Sequence, residues 1–119
     1  MNLIEILGII IIHYIGDFVF QTHWQASNKS KRWDALLRHT INYSAIWVLM
    51  LYFLPFLKVL SFIGITFVFH TITDYFTSRL NSKLWTKGNV HNFFVSVGFD
   101  QVLHYIQLFL TYYFLTNGR

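Results

Sequence analysis

The sequence predicts an all-α integral membrane protein, a bundle of four transmembrane helices that forms a single domain over residues 1–119. Two observations predict this class. Of the 119 residues, 55% are hydrophobic and only 12% are charged, and a soluble chain of this size could not bury so much apolar surface. The apolar residues also fall into four long blocks without alternation of period two, which favours membrane-spanning helices over strands.

Each block is long enough to cross about 30 Å of hydrocarbon at about 1.5 Å per helical residue. The predicted helices cover residues 3–22, 36–57, 59–80 and 93–116. The first block carries Glu5 and lacks the basic region and cleavage site of a signal peptide, so we expect it to be retained as a membrane helix. The second and third blocks are joined by LPFLK around Pro55, which predicts a tight turn.

The distribution of basic residues predicts the topology. Most of them lie in or beside QASNKSKRWDA and NSKLWTKGNVH, whereas Lys58 and Arg119 are the chief cations on the opposite side. By the positive-inside rule, both basic loops are cytoplasmic and both termini lie outside. The net charge of +4 therefore indicates topology, and we expect no nucleic-acid partner. The chain has no cysteine, so any metal must be bound by nitrogen and oxygen.

Ionisable side chains recur inside the predicted helices, where each costs roughly 2.5 to 3.5 kcal/mol on insertion scales. Three histidine/aspartate pairs have members four residues apart, a spacing that puts both on one helix face. Chance placement would give about 0.5 pairs of histidine and acid at this spacing. The pairs, with the histidine that opens the second helix, are His13/Asp17, His70/Asp74, Asp100/His104 and His39.

These residues all lie toward the predicted cytoplasmic face, so they can converge in one layer, and helical bundles build metal sites from facing helices. Imidazole and carboxylate together suit zinc, manganese or iron(II), and two ions can stabilise both the entering and the leaving oxygen of a hydrolysis. One pair alone would more simply be a hydrogen bond that locks packing. The predicted metal ligands are His13, Asp17, His39, His70, Asp74, Asp100 and His104; the three aspartates are also candidates for the general base.

The predicted function is metal-dependent hydrolysis of a phosphoester or lipid-linked substrate that reaches the site from the inner leaflet, in a monomer or a homo-oligomer. Gln21 and Gln101 are expected to orient water or the ligands, and Lys29 or Arg79 to hold an anionic headgroup. Two alternatives stay open: an ion- or proton-handling carrier that uses the same residues, and a bis-histidine haem protein. A metal of purely structural role in an adaptor is also compatible with this pattern.

The segments HYIGDFVFQTHWQASNK, LLRHTINY, HTITDYFTSR and DQVLHY, in this order, resemble the DUF3307 family of small bacterial and phage membrane proteins of undefined function. The resemblance covers nearly the whole chain and implies a multi-pass protein of the bacterial inner membrane. Where the family is expected to carry a lysine after the third-helix aspartate, this chain has Ser78 and Arg79, which leaves the substrate open. A looser similarity, in the H-x-x-x-D pairs alone, is to YdjM-type membrane-bound metal-dependent hydrolases. The positions that match the family pattern are His13, Asp17, Phe18, Gln21, His39, His70, Asp74, Asp100, Gln101 and His104.

Overall fold

The computed structural model describes residues 1–118, which are helical throughout most of their length and contain no β-strand. The all-α prediction is therefore confirmed. Arg119, which the charge distribution assigns to the outer side, lies outside the described residues. The α-helices are α1 (Leu3–Tyr14), α2 (His23–Asn28), α3 (Trp33–Ala45), α4 (Phe56–Thr86) and α5 (Val90–Leu115).

The first predicted helix, residues 3–22, is not uniform. Its α-helical bonding ends at Tyr14 and a π-helical segment, Ile15–Val19, continues it, with the N–H of Phe20 donating to the Ile15 carbonyl at 2.9 Å. The chain then bends, and Thr22 caps the separate short helix α2 by accepting from the Gln25 N–H at 3.1 Å. The predicted loop therefore contains a helix because its sequence carries a capping box.

The second predicted helix, residues 36–57, also changes character along its length. After α3, a 3₁₀ segment, Ile46–Tyr52, carries the chain to the turn at residues 53–55. A change from α-helical to the tighter 3₁₀ hydrogen bonding is common at the ends of α-helices. Pro55 has extended backbone angles and directly precedes α4, as expected for a residue whose ring restricts the backbone on both sides.

The other two helices are longer than predicted, and each is long and apolar enough to cross a membrane. They are α4, with 31 residues, and α5, with 26, which form an antiparallel pair joined by the turn at residues 87–89. Two such helices are a weak indication of membrane association. The described residues form a body of 45 × 27 × 20 Å.

The interior is divided into an apolar layer and a polar layer along the long axis. α4 packs against α5 and α3, α1 contacts α5, and the π segment contacts α3. Near the end that carries the 53–55 turn, these elements enclose a hydrophobic core; toward the other end they enclose histidines and aspartates. The core residues are Ile9, Ile12, Tyr43, Trp47, Met50, Leu54, Val59, Phe62, Leu108 and Tyr112.

Candidate metal centre

Helices α4 and α5 face each other with polar stripes in which buried residues recur every four positions, on one side of each helix. On α4 the stripe includes His70 and Asp74, and on α5 it includes Asp100 and His104. His104 Nε2 lies 3.2 Å from an oxygen of each aspartate, so the imidazole joins the two helices. Thr77 of α4 donates to Asp100 Oδ1 at 2.6 Å and adds a second connection.

Four residues from three parts of the chain converge on one point, and we call them the histidine set. They are Asp17 of the π segment, His39 of α3, and His70 and Asp74 of α4; each is buried, and one ligand atom of each lies within 4.8 Å of all the others. His39 Nε2 is 3.0 Å from Asp17 Oδ1 and 3.1 Å from His70 Nε2.

The separations within the histidine set match those around a tetrahedral metal ion. With metal–ligand distances of about 2.0–2.1 Å, neighbouring ligand atoms of a tetrahedron lie about 3.3 Å apart. The His39 and His70 Nε2 atoms lie 3.2 Å and 3.3 Å from Asp74 Oδ2, and His70 Nε2 lies 3.6 Å from Asp17 Oδ1. With the two His39 distances above, five of the six separations fall between 3.0 and 3.6 Å.

A second group, which we call the Asp100 set, lies next to the first and shares one residue with it. Its members are Asp17, Asp100 and His104, again with ligand atoms within 4.8 Å of one another. Asp74 also reaches both groups, because its Oδ2 faces the histidine set while its Oδ1 contacts His104. Asp17 and Asp74 therefore lie between two potential cation positions.

The imidazoles are held by stacking, and two of them have an unused ring nitrogen. The His70 ring lies between Tyr43, at 3.8 Å between centroids, and His104, at 4.2 Å, with interplanar angles of 20° and 21°. The Nδ1 atoms of His39 and His70 are buried and have no hydrogen-bond partner in the described part of the chain. Their Nε2 atoms carry the polar contacts of both rings, and both point into the histidine set.

His13 is the predicted ligand that belongs to neither set. Its Nδ1 bonds the Tyr43 hydroxyl at 2.8 Å and its Nε2 bonds the Gln101 Oε1 at 2.6 Å, while its nearest approach to Asp17 Oδ2 is 3.7 Å. The Gln101 amide in turn donates to Asp17 Oδ2 at 3.3 Å and Asp100 Oδ2 at 3.1 Å. His13 and Gln101 thus lie behind the aspartates and orient them.

Lys29, predicted to hold an anionic headgroup, instead reaches into the centre. It caps the end of α2, and its Nζ lies 3.1 Å from Asp74 Oδ2. Burial lowers the pKa of Lys29, but the carboxylates of Asp74 and Asp17 outweigh it and hold the pKa above its ordinary value. The ammonium group therefore brings a positive charge to the edge of the histidine set.

The other two residues with predicted supporting roles lie outside the two sets. Arg79 donates to the Tyr75 carbonyl at 2.9 Å and stacks over the Tyr75 ring, beside a surface cleft. The Oε1 of Gln21 is buried without a hydrogen-bond partner beside a second cleft.

Two residues that contact the centre have a weaker signal in the sequence. Tyr43 follows His39 by four positions, so the spacing that identified the pairs also places it on the same face of α3. Thr77 lies three positions after Asp74, where a hydroxyl can turn toward a neighbouring helix. Both lie near the predicted polar faces, but neither residue type is ionisable at neutral pH, so the sequence does not mark them as ligands.

A profile of the family "Protein of unknown function (DUF3307)" matches residues 6–118, nearly the whole chain. The chain belongs to the DUF3307 family. This confirms the resemblance carried by its histidine and aspartate motifs, and both sets lie within the matched part of this DUF3307 protein. The family description assigns no activity. No curated protein and no solved structure matches the chain significantly.

Proposed function

We propose that this DUF3307 protein binds divalent metal ions in the two sets and uses them to hydrolyse a phosphoester at the cytoplasmic face of the bacterial inner membrane. The observation that carries the metal proposal is that four buried ligand atoms converge, with five of their six separations between 3.0 and 3.6 Å. Burying imidazoles and carboxylates is costly, and a cation offsets the cost by binding all four at once.

Two ions fit the proposal better than one, because Asp17 and Asp74 each reach toward both sets. Asp17 and Asp74 would then help to hold both ions, which would together stabilise the entering and the leaving oxygen. Nitrogen and oxygen ligands favour zinc, manganese or iron(II). A haem between His39 and His70 is disfavoured, since their Nε2 atoms are only 3.1 Å apart and share their space with two carboxylates.

The membrane part of the proposal is a chain that spans the bilayer four times with both basic loops inside. Apolar side chains are exposed around all of the long helices, as expected where lipid is the solvent. Lys31, Lys83 and Lys87 gather at the end of the molecule nearest the two sets. The positive-inside rule then puts the metal centre in the cytoplasmic half.

In the proposed reaction, a water oxygen bonds to phosphorus while the bond from phosphorus to the leaving oxygen breaks. Bound divalent ions would lower the pKa of the water and polarise the phosphoryl oxygen. A carboxylate of the centre takes the proton from water and returns it to the leaving oxygen, so that the products are an alcohol and a phosphate. Asp17, Asp74 and Asp100 all have the reach for this role, and Gln101 and His13 keep Asp17 and Asp100 in place.

One observation favours a second candidate, an ion carrier. The π segment and the 3₁₀ segment interrupt regular bonding in both N-terminal spans, and the π segment holds Asp17. Discontinuous helices are typical of intramembrane ion sites in carriers. A carrier would bind the metal but would not turn over an ester.

Turnover by detergent-purified protein separates these functions. We expect hydrolysis of phosphatidic acid or an aryl phosphate in the presence of zinc, manganese or iron(II), and its loss in Asp74→Asn by at least about a hundredfold. Asp34→Asn is the matched control, because Asp34 lies in the first turn of α3, is 44% exposed at its side chain and pairs with Arg32, outside both sets. Metal binding without turnover of either ester, combined with metal uptake into vesicles, would instead identify a carrier.

A further inference from the structure

A cleft of about 380 Å³ lies at the end of the molecule that carries the two basic loops, and we call it the basic cleft. Four cationic side chains line it, together with three hydroxyls, and no carboxylate does. Anions bind where several cations and hydroxyl donors converge. The lining residues are Ser30, Lys31, Arg79, Ser82, Lys83, Thr86 and Lys87.

The cations of this cleft are available to a ligand. Within residues 1–118, ion pairs engage Lys29 and Arg32 but none engages Lys31, Lys83 or Lys87. Arg79 is oriented by its own helix, through the Tyr75 carbonyl and ring, without a carboxylate partner. Helix α4 thus presents positive charge that the described protein does not neutralise.

The basic cleft opens into a second space of about 590 Å³, the inner cleft, with which it shares Ser30, Lys31, Ser82 and Thr86. The lining of the inner cleft combines polar side chains with three aromatic ones, which we call its aromatic side. Ser78 lines the cleft and is 6% exposed, and its buried Oγ has no hydrogen-bond partner among residues 1–118. Buried hydroxyls are normally paired, so an unused one beside a cleft indicates a missing ligand atom.

The aromatic side of the inner cleft suits an acyl or prenyl chain. Trp85, Phe93 and Phe94 line it, and Trp85 and Phe94 are more than half exposed. Aromatic side chains commonly lie where headgroups meet hydrocarbon. A ligand in this space would touch cations at one end and rings at the other.

We infer that the two clefts bind a lipid whose headgroup ends in a phosphate, with the phosphate among Lys31, Lys83 and Lys87 and the first part of the chain against the aromatic side chains. Charge complementarity selects the phosphate, and the aromatic side selects a lipid rather than a soluble phosphate. The inner cleft also reaches Lys29, whose Nζ contacts Asp74 of the histidine set. The bound headgroup therefore lies beside the metal centre.

This inference names the substrate class of the proposed hydrolase and in that sense rests on the proposed function, but binding is measurable without turnover. The test uses the full chain in nanodiscs of phosphatidylcholine and measures binding of short-chain phosphatidic acid. We expect saturable binding that Lys83→Gln weakens about fivefold, since each cation near a lipid surface contributes about 1 kcal/mol. The double variant of Lys83→Gln with Lys87→Gln should weaken binding about twenty-five-fold if the free-energy effects of the two substitutions add.

Arg38→Gln is the matched control, because Arg38 carries the same charge near the same end of the molecule but lines neither cleft. Two outcomes would overturn the inference: Arg38→Gln weakens binding as much as Lys83→Gln does, or phosphatidylglycerol binds as tightly as phosphatidic acid. Either would mean that surface charge merely attracts anionic lipid. Inorganic phosphate that competes as well as phosphatidic acid would overturn the lipid part. Binding that persists in metal-free His70→Ala protein would support this inference even if hydrolysis were never found.

Discussion

At the scale of single residues, the decisive feature is that two imidazoles present the same nitrogen to one point. The Nε2 atoms of His39 and His70 are 3.1 Å apart, and each also faces carboxylate oxygens of Asp17 and Asp74. A shared proton can satisfy one such contact, but four ligand atoms converge here. A divalent cation satisfies all of them together, which is why we interpret the cluster as a metal centre.

The different positions of two histidines lead to a first prediction. His39→Gln removes a ligand atom of the histidine set. The affinity for metal should therefore fall by at least about tenfold, as is typical when a group that holds a metal site is removed. His13→Gln should weaken metal binding less than His39→Gln does, because both ring nitrogens of His13 bond other side chains and act on the metal only through the aspartates. Elemental analysis after dialysis against a weak chelator measures both. Equal loss in the two variants would show that His13 is a ligand.

Lys29 leads to a second prediction, because its ammonium occupies a position beside Asp74 Oδ2 where it repels a bound cation. Lys29→Gln should therefore tighten divalent metal binding, by about tenfold if the repulsion is worth about 1.4 kcal/mol. Lys31→Gln is the control, since Lys31 makes no ion pair with a described carboxylate and lines only the clefts. Competition with a fluorescent chelator gives the affinities. Weaker binding in Lys29→Gln would mean that the lysine supports the site.

At the scale of elements, the π segment Ile15–Val19 positions Asp17 against α3. Gly16 permits this contact, because a Cβ there would lie 2.9 Å from Ile46 Cγ2 and 3.0 Å from Tyr43 Cδ2. The segment also changes the phase of the helix between His13 and Asp17. The wider π-helical turn follows His13 and includes Asp17, which are four positions apart. His13 therefore bonds Tyr43, whereas Asp17 contacts His39.

Gly16→Ala is the third prediction. The added methyl group should push the π segment away from α3, destabilise the fold by about 1–3 kcal/mol and weaken metal binding through Asp17. Gly64→Ala is the matched control, because nothing lies within 4 Å of a Cβ at that position of α4. Thermal unfolding in detergent and metal titration are the measurements. If both variants behave alike, close packing at Gly16 does not position Asp17.

The polar stripes of α4 and α5 follow from the sequence because a spacing of four places His70, Asp74, Asp100 and His104 on single faces of regular helices. The same spacing brings His13 Nε2 to 3.7 Å from Asp17 Oδ2, but it does not predict the closer contacts of His13 with Tyr43 and Gln101. The contact of Lys29 with Asp74 depends on how α2 folds over the bundle. Separations between residues 45 positions apart are set by tertiary packing, which periodicity does not describe.

At the scale of the whole molecule, the side of the membrane on which the metal centre acts depends on which end of the bundle faces the cytoplasm, and this gives the fourth prediction. The chain has no cysteine, so single cysteines can report topology. In intact cells, a membrane-impermeant maleimide should label Tyr52→Cys but neither Ser27→Cys nor Lys87→Cys. All three should react after the membrane is opened. Labelling of the two loop positions from outside would reverse the proposed orientation and put the metal centre in the outer half.

Elemental analysis tests most directly whether the histidine set holds a metal. The protein must be purified without chelators or metal-affinity steps. We predict at least one zinc, manganese or iron ion per chain, absent from His70→Ala protein that is still folded by circular dichroism. The contrary result is wild-type protein that stays metal-free after incubation with each of these ions at concentrations that saturate ordinary histidine and carboxylate sites. It would show that the histidine set is not a metal centre.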